Sequence, residues 1–227
     1  LPDEFELDSI VDYGWGYPSI DIEAFPGTTD RCFWASSSRA DHTYYKWYVH
    51  FGLGGSDWWG EEEVCLARCV RGGPSGAARF TRSTTTANQP VVTDNVTTLV
   101  WQGCAAGLQG NDCTEDVPAV TGTDEAKFTW ADALVYCENL TWGGTSDWRL
   151  PSVKELKSIV DNSRSGPAPT IDITAFPATP NFDFWTSSSR ALGAGSAWLG
   201  RFYGGYSPGY ELKTNTFIYT RCVRGGP

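Results

Sequence analysis

Between Phe128 and Asp161 the apolar positions fall twice at helical spacing. Trp130, Ala133, Leu134, Cys137 and Leu140 share one face, behind Thr129 as N-cap with Asp132 three residues on. Gly143 and Gly144 are placed to end that helix. Pro151 and Ser152 open a second one, with Glu155 closing a Ser-x-x-Glu box and Val153, Leu156, Ile159 and Val160 as its stripe. Elsewhere the pattern changes to short alternating runs. Val91-Val92 and Thr98–Gln102 read as strands around the turn Asp94-Asn95. Phe182–Ser189 reads as a strand, and Ala197–Tyr203 with Glu211–Thr214 as a hairpin. Phe217–Val223 closes the pattern. Two helices followed by short antiparallel strands predict an α+β domain.

The pattern occurs one and a half times. LPxxxEL-x-SIVD stands at Leu1–Asp12 and Leu150–Asp161, and P-x-IDI-x-AFP-x-T at Pro18–Thr28 and Pro169–Thr179. FW-x-SSSRA stands at Phe33–Ala40 and Phe184–Ala191, and RCVRGGP at Arg68–Pro74 and Arg221–Pro227. This is tandem duplication of a whole domain, not a short solenoid repeat. Residues 1–74 read as the C-terminal half of a repeat, 75–90 as linker and first strand, and 91–227 as a complete repeat. The start, in mid-repeat and without Met, leads us to expect an N-terminal part elsewhere.

Composition narrows the function. Eleven Trp, no Met and 14% aromatics describe a turn-rich globular chain. A net charge of -10 excludes a nucleic-acid partner, because no basic stripe exists to neutralise phosphates. No apolar run is long enough for a transmembrane helix. The seven cysteines are scattered, with no CxxC pair, which points to disulfides in an oxidising compartment and away from zinc. Cys104 and Cys113 bound a glycine-rich loop and form a local pair. Cys32 and Cys65 have no counterparts in the other copy, which pairs them with each other.

The pieces VTDNVTTLVWQ (92–102), TWADALVYCENL (129–140), SDWRLPSVKEL (146–156), FWTSSS (184–189) and RCVRGG (221–226) together resemble the Lcl C-terminal domain family of bacterial surface proteins. Thr98 and Val100 depart from it, standing where the family more often has Gly and Met. The resemblance implies a C-type-lectin-like fold, two helices packed on short antiparallel sheets, in tandem here as one half copy plus one full copy. It implies a secreted or cell-surface setting, adhesin-type roles and no catalytic residues. It also implies that Cys137 pairs with Cys222. Cys69, the counterpart of Cys222, is then left over. A cleaved precursor half attached through Cys69, completion by another subunit, and residues absent from the sequence each account for this.

Candidate sites follow. Asp147-Trp148-Arg149 reads as structural: an Asp cap, a packed Trp and a paired Arg. The serine runs 36–38 and 187–189 lack a nearby base or an elbow motif and read as strand-edge hydroxyls. Calcium has Asp172 and Asp183 as candidate ligands but no loop signature; no other cofactor is expected. The aromatic loops are the better contacts for a subunit or a sugar: Tyr44, Tyr45, Trp58 and Trp59 in one copy, Tyr203, Tyr206 and Tyr210 in the other. The expected function is a noncatalytic extracellular fibre or scaffold component, self-assembled or joined to a cleaved precursor half through its incomplete half domain. The alternative is a glycan-binding adhesin module.

Overall fold

Reciprocal capping bonds start two of the helices. Ser152 Oγ accepts from the Glu155 N–H at 3.2 Å while the Ser152 N–H donates to Glu155 Oε2 at 2.7 Å. Asp3 and Glu6 make the same pair of bonds. Thr129 Oγ1 caps a third helix by accepting from the Asp132 N–H. The structure, a computed structural model, describes residues 1–14, 17–40, 42–52, 54–71, 78–117, 127–164, 169–191, 193–203 and 209–225. Tyr206 therefore lies outside the described residues.

The first unit runs α1 (Glu4–Asp8), β1 (Cys32–Arg39), β2 (His42–His50) and β3 (Gly55–Gly60). The second opens with β4 (Phe80–Ser83), β5 (Val91–Asp94), β6 (Val100–Gln102), β7 (Leu108–Gln109) and β8 (Glu115–Asp116). It continues with α2 (Trp130–Glu138), α3 (Val153–Ser158), β9 (Asp183–Ser189), β10 (Ser196–Arg201), β11 (Gly209–Leu212) and β12 (Val223–Arg224). The sheets are antiparallel, in the orders β1-β2-β3, β11-β10-β9 and β12-β6-β5-β4, with a two-stranded ribbon β7-β8.

Helix α2 stops sooner than the glycines imply. Asn139 Nδ2 turns back onto the Val135 carbonyl at 3.0 Å, a local bond that ends the helix. Gly143 and Gly144, with φ of 60° and 83°, instead make the turn bridged by Trp142 and Thr145.

The segment α1-β1-β2-β3 repeats α3-β9-β10-β11 in register. Trp34 faces Tyr48 as Trp185 faces Leu199, and Ser38 faces Lys46 as Ser189 faces Ala197. Trp47 faces Trp58 as Trp198 faces Tyr210. The serine runs hold each helix to its sheet. The N–H of Ser36 donates to the Pro2 carbonyl and that of Ser187 to the Pro151 carbonyl, both at 2.7 Å. The Oγ of Ser37 accepts from the Glu4 N–H at 3.0 Å, and that of Ser188 from the Val153 N–H at 3.1 Å. These hydroxyls thus satisfy helix N–H groups that have no partner inside the helix.

Three apolar clusters make the core. One joins Trp101, Leu156, Phe176, Phe184 and Phe202; a second joins Cys137, Trp142, Trp148, Trp185, Leu199 and Cys222. The third belongs to the first unit, around Leu7, Ile20, Phe33, Trp47 and Phe51, and Val153 and Trp198 of the second unit pack into it. At that join Lys157 is buried with its Nζ 2.5 Å from Asp8 Oδ1 and 2.8 Å from Glu4 Oε1.

Candidate functional site

The repeat supplies its own control, because the same closing residues occur in two surroundings. In the second unit they are sealed. Cys222 bonds Cys137 of α2 (S–S 2.05 Å). Val223 exchanges both backbone hydrogen bonds with Arg149 at 2.9 Å and pairs with Trp101 of β6. Arg221 is wholly buried, donating to the Gln102 carbonyl and to Thr179 Oγ1, each at 2.8 Å. Burial first, then the neighbouring Arg82, lowers its guanidinium pKa to about 9. Helix α2 lies over the sheet: Trp185 Nε1 donates to the Phe128 carbonyl at 2.8 Å, and Lys213 Nζ sits 4.0 Å from the Trp130 ring centre.

In the first unit the equivalent residues are open. Arg68 keeps the two bonds its own half supplies, to Thr28 Oγ1 at 2.7 Å and over the Phe25 ring at 4.9 Å, but is only half-buried. Arg221 makes the matching contact to Phe176, also at 4.9 Å. Cys69 is a free, exposed thiol, Val70 is 50% exposed and Leu66 is 40% exposed, against 0% for Val223 and 6% for Tyr219 at the equivalent places. A second disulfide, Cys32–Cys65, ties β1 to the segment leading into Leu66–Val70, and Cys104–Cys113 closes the loop after β6.

The aromatic candidates divide by sheet face. Tyr45 and Trp58 lie on the side of Trp47, with ring centres 4.8 Å apart and the Arg39 guanidinium 4.3 Å from the Trp58 ring. Trp34, Tyr48 and Trp59 line the opposite side, with Tyr48 and Trp59 centres 4.8 Å apart. Burial and Asp57 together raise the Tyr48 hydroxyl to about 12. Tyr44 is exposed and bonds Glu62. In the second unit Tyr210 is exposed beneath the Arg190 guanidinium at 3.8 Å, and Tyr203 lies 5.8 Å from that of Arg201. The six described candidates are thus not brought to one place.

The remaining candidates serve the scaffold. Asp172 Oδ1 accepts from the N–H groups of Thr174 and Ala175, and Asp183 pairs with Arg201 at 3.2 Å. Among the described residues no group of three or more His, Cys, Asp or Glu could hold a metal ion. Asp147, rather than capping a helix, pairs with Arg224 at 2.8 Å; Trp148 is buried and Arg149 binds Glu155 at 2.6 Å. Asn95 and Asn139, each in an Asn-x-Thr triplet, use their side-chain amides internally, toward the Ala78 and Val135 carbonyls.

Sequence reasoning missed the ion cluster that joins the units. Burial alone would lower the Lys157 ammonium, but Asp8 and Glu4 outweigh it and hold it above its ordinary value. Burial raises Asp8 despite Lys157, and raises Tyr13, whose hydroxyl donates to Asp8 at 2.8 Å. The signal was present: residue 8 in one copy aligns with residue 157 in the other, and their charges are opposite.

The family model of the Lcl C-terminal domain matches residues 1–71 and 90–224, so the chain belongs to that family. No curated protein and no solved structure matches it. Membership makes it a noncatalytic domain of the extracellular, surface-protein kind, in keeping with three disulfides. No helix among the described residues is long and apolar enough to cross a membrane.

Proposed function

We propose that this chain is a structural subunit of an extracellular adhesive scaffold, and that a second polypeptide is joined to it at the face of residues 1–71 around Cys69. On this reading residues 91–225 form a C-type-lectin-like domain and residues 1–71 the C-terminal half of another. The observation that carries it is the pair Cys222 and Cys69: one copy is disulfide-bonded and buried, the other free and exposed beside Leu66 and Val70. Exposed apolar side chains and unpaired backbone groups in one place favour association. Mass spectrometry of native material without and with reductant is the test. A heavier species that collapses on reduction, with Cys69 in a cross-linked peptide, is expected; a lone chain with Cys69 reduced would sink the proposal.

A second reading is glycan binding. It is supported by the exposed rings of Trp59, Tyr44 and Tyr210, at 42%, 47% and 49%, since aromatic faces stack on the apolar faces of sugars. Glycan-array binding that disappears with Trp59→Ala or Tyr210→Ala is its expected signature. Silence of the intact chain on the array would reject it.

A further inference from the structure

We infer that the open face of residues 1–71 receives a helical segment that begins with an aromatic residue and carries a cysteine seven residues later. The inference rests on the reading above and names the chemistry of the partner. Four groups of the first unit stand where the second unit engages α2 and the chain after it. Cys69 stands for Cys222, whose partner is Cys137. Trp34 stands for Trp185, whose Nε1 donates to the Phe128 carbonyl, two residues before Trp130; Trp34 Nε1 meets no acceptor among the described residues. Val70 stands for Val223, which is bonded on both sides to Arg149; the Val70 N–H and carbonyl have no backbone partner among the described residues.

The fourth group is the most specific. Lys213 Nζ donates to Ser189 Oγ at 2.8 Å and lies 4.0 Å from the Trp130 ring centre. The first unit brings an ammonium to the same serine from a different strand: Lys46 Nζ donates to Ser38 Oγ at 2.8 Å, and the strand register makes Ser38 the equivalent of Ser189. Lys46 is half-buried, with no carboxylate in salt-bridge range among the described residues. The residue it replaces is Ala197, so the ammonium is not inherited from the aligned position but supplied anew. Lys46 Nζ also donates to the Thr43 carbonyl at 2.8 Å, so the ammonium is held in place by two neutral acceptors, and its charge is open to the face of an aromatic ring. A second copy meeting this face with its own would offer donors to donors, Trp34 and Lys46 against the same groups. A strand–helix segment like residues 127–149 meets all four.

The probe is a peptide of residues 127–149, disulfide-bonded to glutathione through Cys137, offered to the intact chain. Cys69 thiolate attacks, one S–S bond forms as another breaks, and glutathione leaves as the thiol. The yield of Cys69–Cys137 at equilibrium is read by mass spectrometry against a scrambled peptide with the same cysteine. A preference of at least about tenfold is expected, the size of one desolvated cation–π contact. Trp130→Ala in the peptide and Lys46→Gln or Trp34→Phe in the chain each reduce it, while Lys46→Arg keeps it. Near-UV circular dichroism reports whether each variant retains its fold. Equal yields for native and scrambled peptides overturn the inference, as does a Cys69–Cys69 dimer that excludes the peptide. That dimer would still leave a polypeptide joined at Cys69, so the broader proposal fails only on native material.

Discussion

Arg68-Cys69-Val70 and Arg221-Cys222-Val223 are the same three residues in two environments. In the second unit all three are fully buried; in the first, Arg68 is half-buried and Cys69 and Val70 are exposed. The arginines still make the same bonds to Thr28 or Thr179 and the same stacking on Phe25 or Phe176. Contacts within the α3-β9-β10-β11 pattern are therefore written locally and survive in either copy. Contacts to β6, to α2 and to Arg149 are what differ, and the burial changes with them. The closing strand is a site whose state is set by what lies across from it.

The largest effect expected is from opening the sealed copy. Cys137 and Cys222 are separated by 85 residues, and losing a bridge that closes such a loop costs about 4–5 kcal/mol in the chain-entropy account. Cys222→Ser should lower the urea midpoint accordingly, whereas Cys69→Ser should leave stability within about 0.5 kcal/mol. Equal losses would erase the distinction between the two closing segments. Next comes the join between units. Lys157→Ala leaves Asp8 and Glu4 buried without their cation, and breaking a buried pair in this way costs about 3–4 kcal/mol. Equilibrium unfolding should then separate into two transitions if the first unit depends on the second for its core. A single unshifted transition would show that the join carries no stability. A smaller contrast follows for the arginines. Arg221→Ala should cost about 2–3 kcal/mol, from lost buried hydrogen bonds and packing. Arg68→Ala should cost less than about 1 kcal/mol, because water already reaches it.

Much of this was legible in the sequence, for one physical reason: capping boxes, serine hydroxyls and hairpins depend on neighbours close in the chain. The Ser152–Glu155 box, the Thr129 cap and the strands on either side of Asp94 could be read that way. The repeat then carried the reading from one copy to the other. What could not be read depends on which elements meet in space. Lys157 lies outside the apolar stripe of its helix, and the docking of α1 against α3 takes it out of water. The ammonium on Ser38 was hidden likewise, because it comes from Lys46 where alignment of the copies shows alanine. The ribbon β7-β8, one strand inside the Cys104–Cys113 loop and the other just beyond it, has two residues a side, too few for periodicity to show.

The finest test uses pH, since the two regions should respond with opposite sign. Burial alone would raise the carboxyl of Asp94, but hydrogen bonds from Arg79 and the Val96 N–H outweigh it and hold it below its ordinary value. Its contribution is complete above the unfolded value, about 3.9, and is lost as pH falls through the depressed folded value. Glu155, held low by Arg149 and the Ser152 N–H against burial, acts in the same direction. Asp8 acts the other way. Burial raises it, so the folded chain takes up that proton more readily than the unfolded one, and stability from this group rises as pH falls through the raised value toward 3.9. Unfolding midpoints measured from pH 7 to 3 should therefore fall less steeply in Asp94→Asn than in the native chain. In Asp8→Asn they should fall more steeply, because the proton uptake that offsets the loss is gone. If both variants trace the native curve, acid sensitivity lies elsewhere, and the difference between the joined face and the sealed one is not electrostatic.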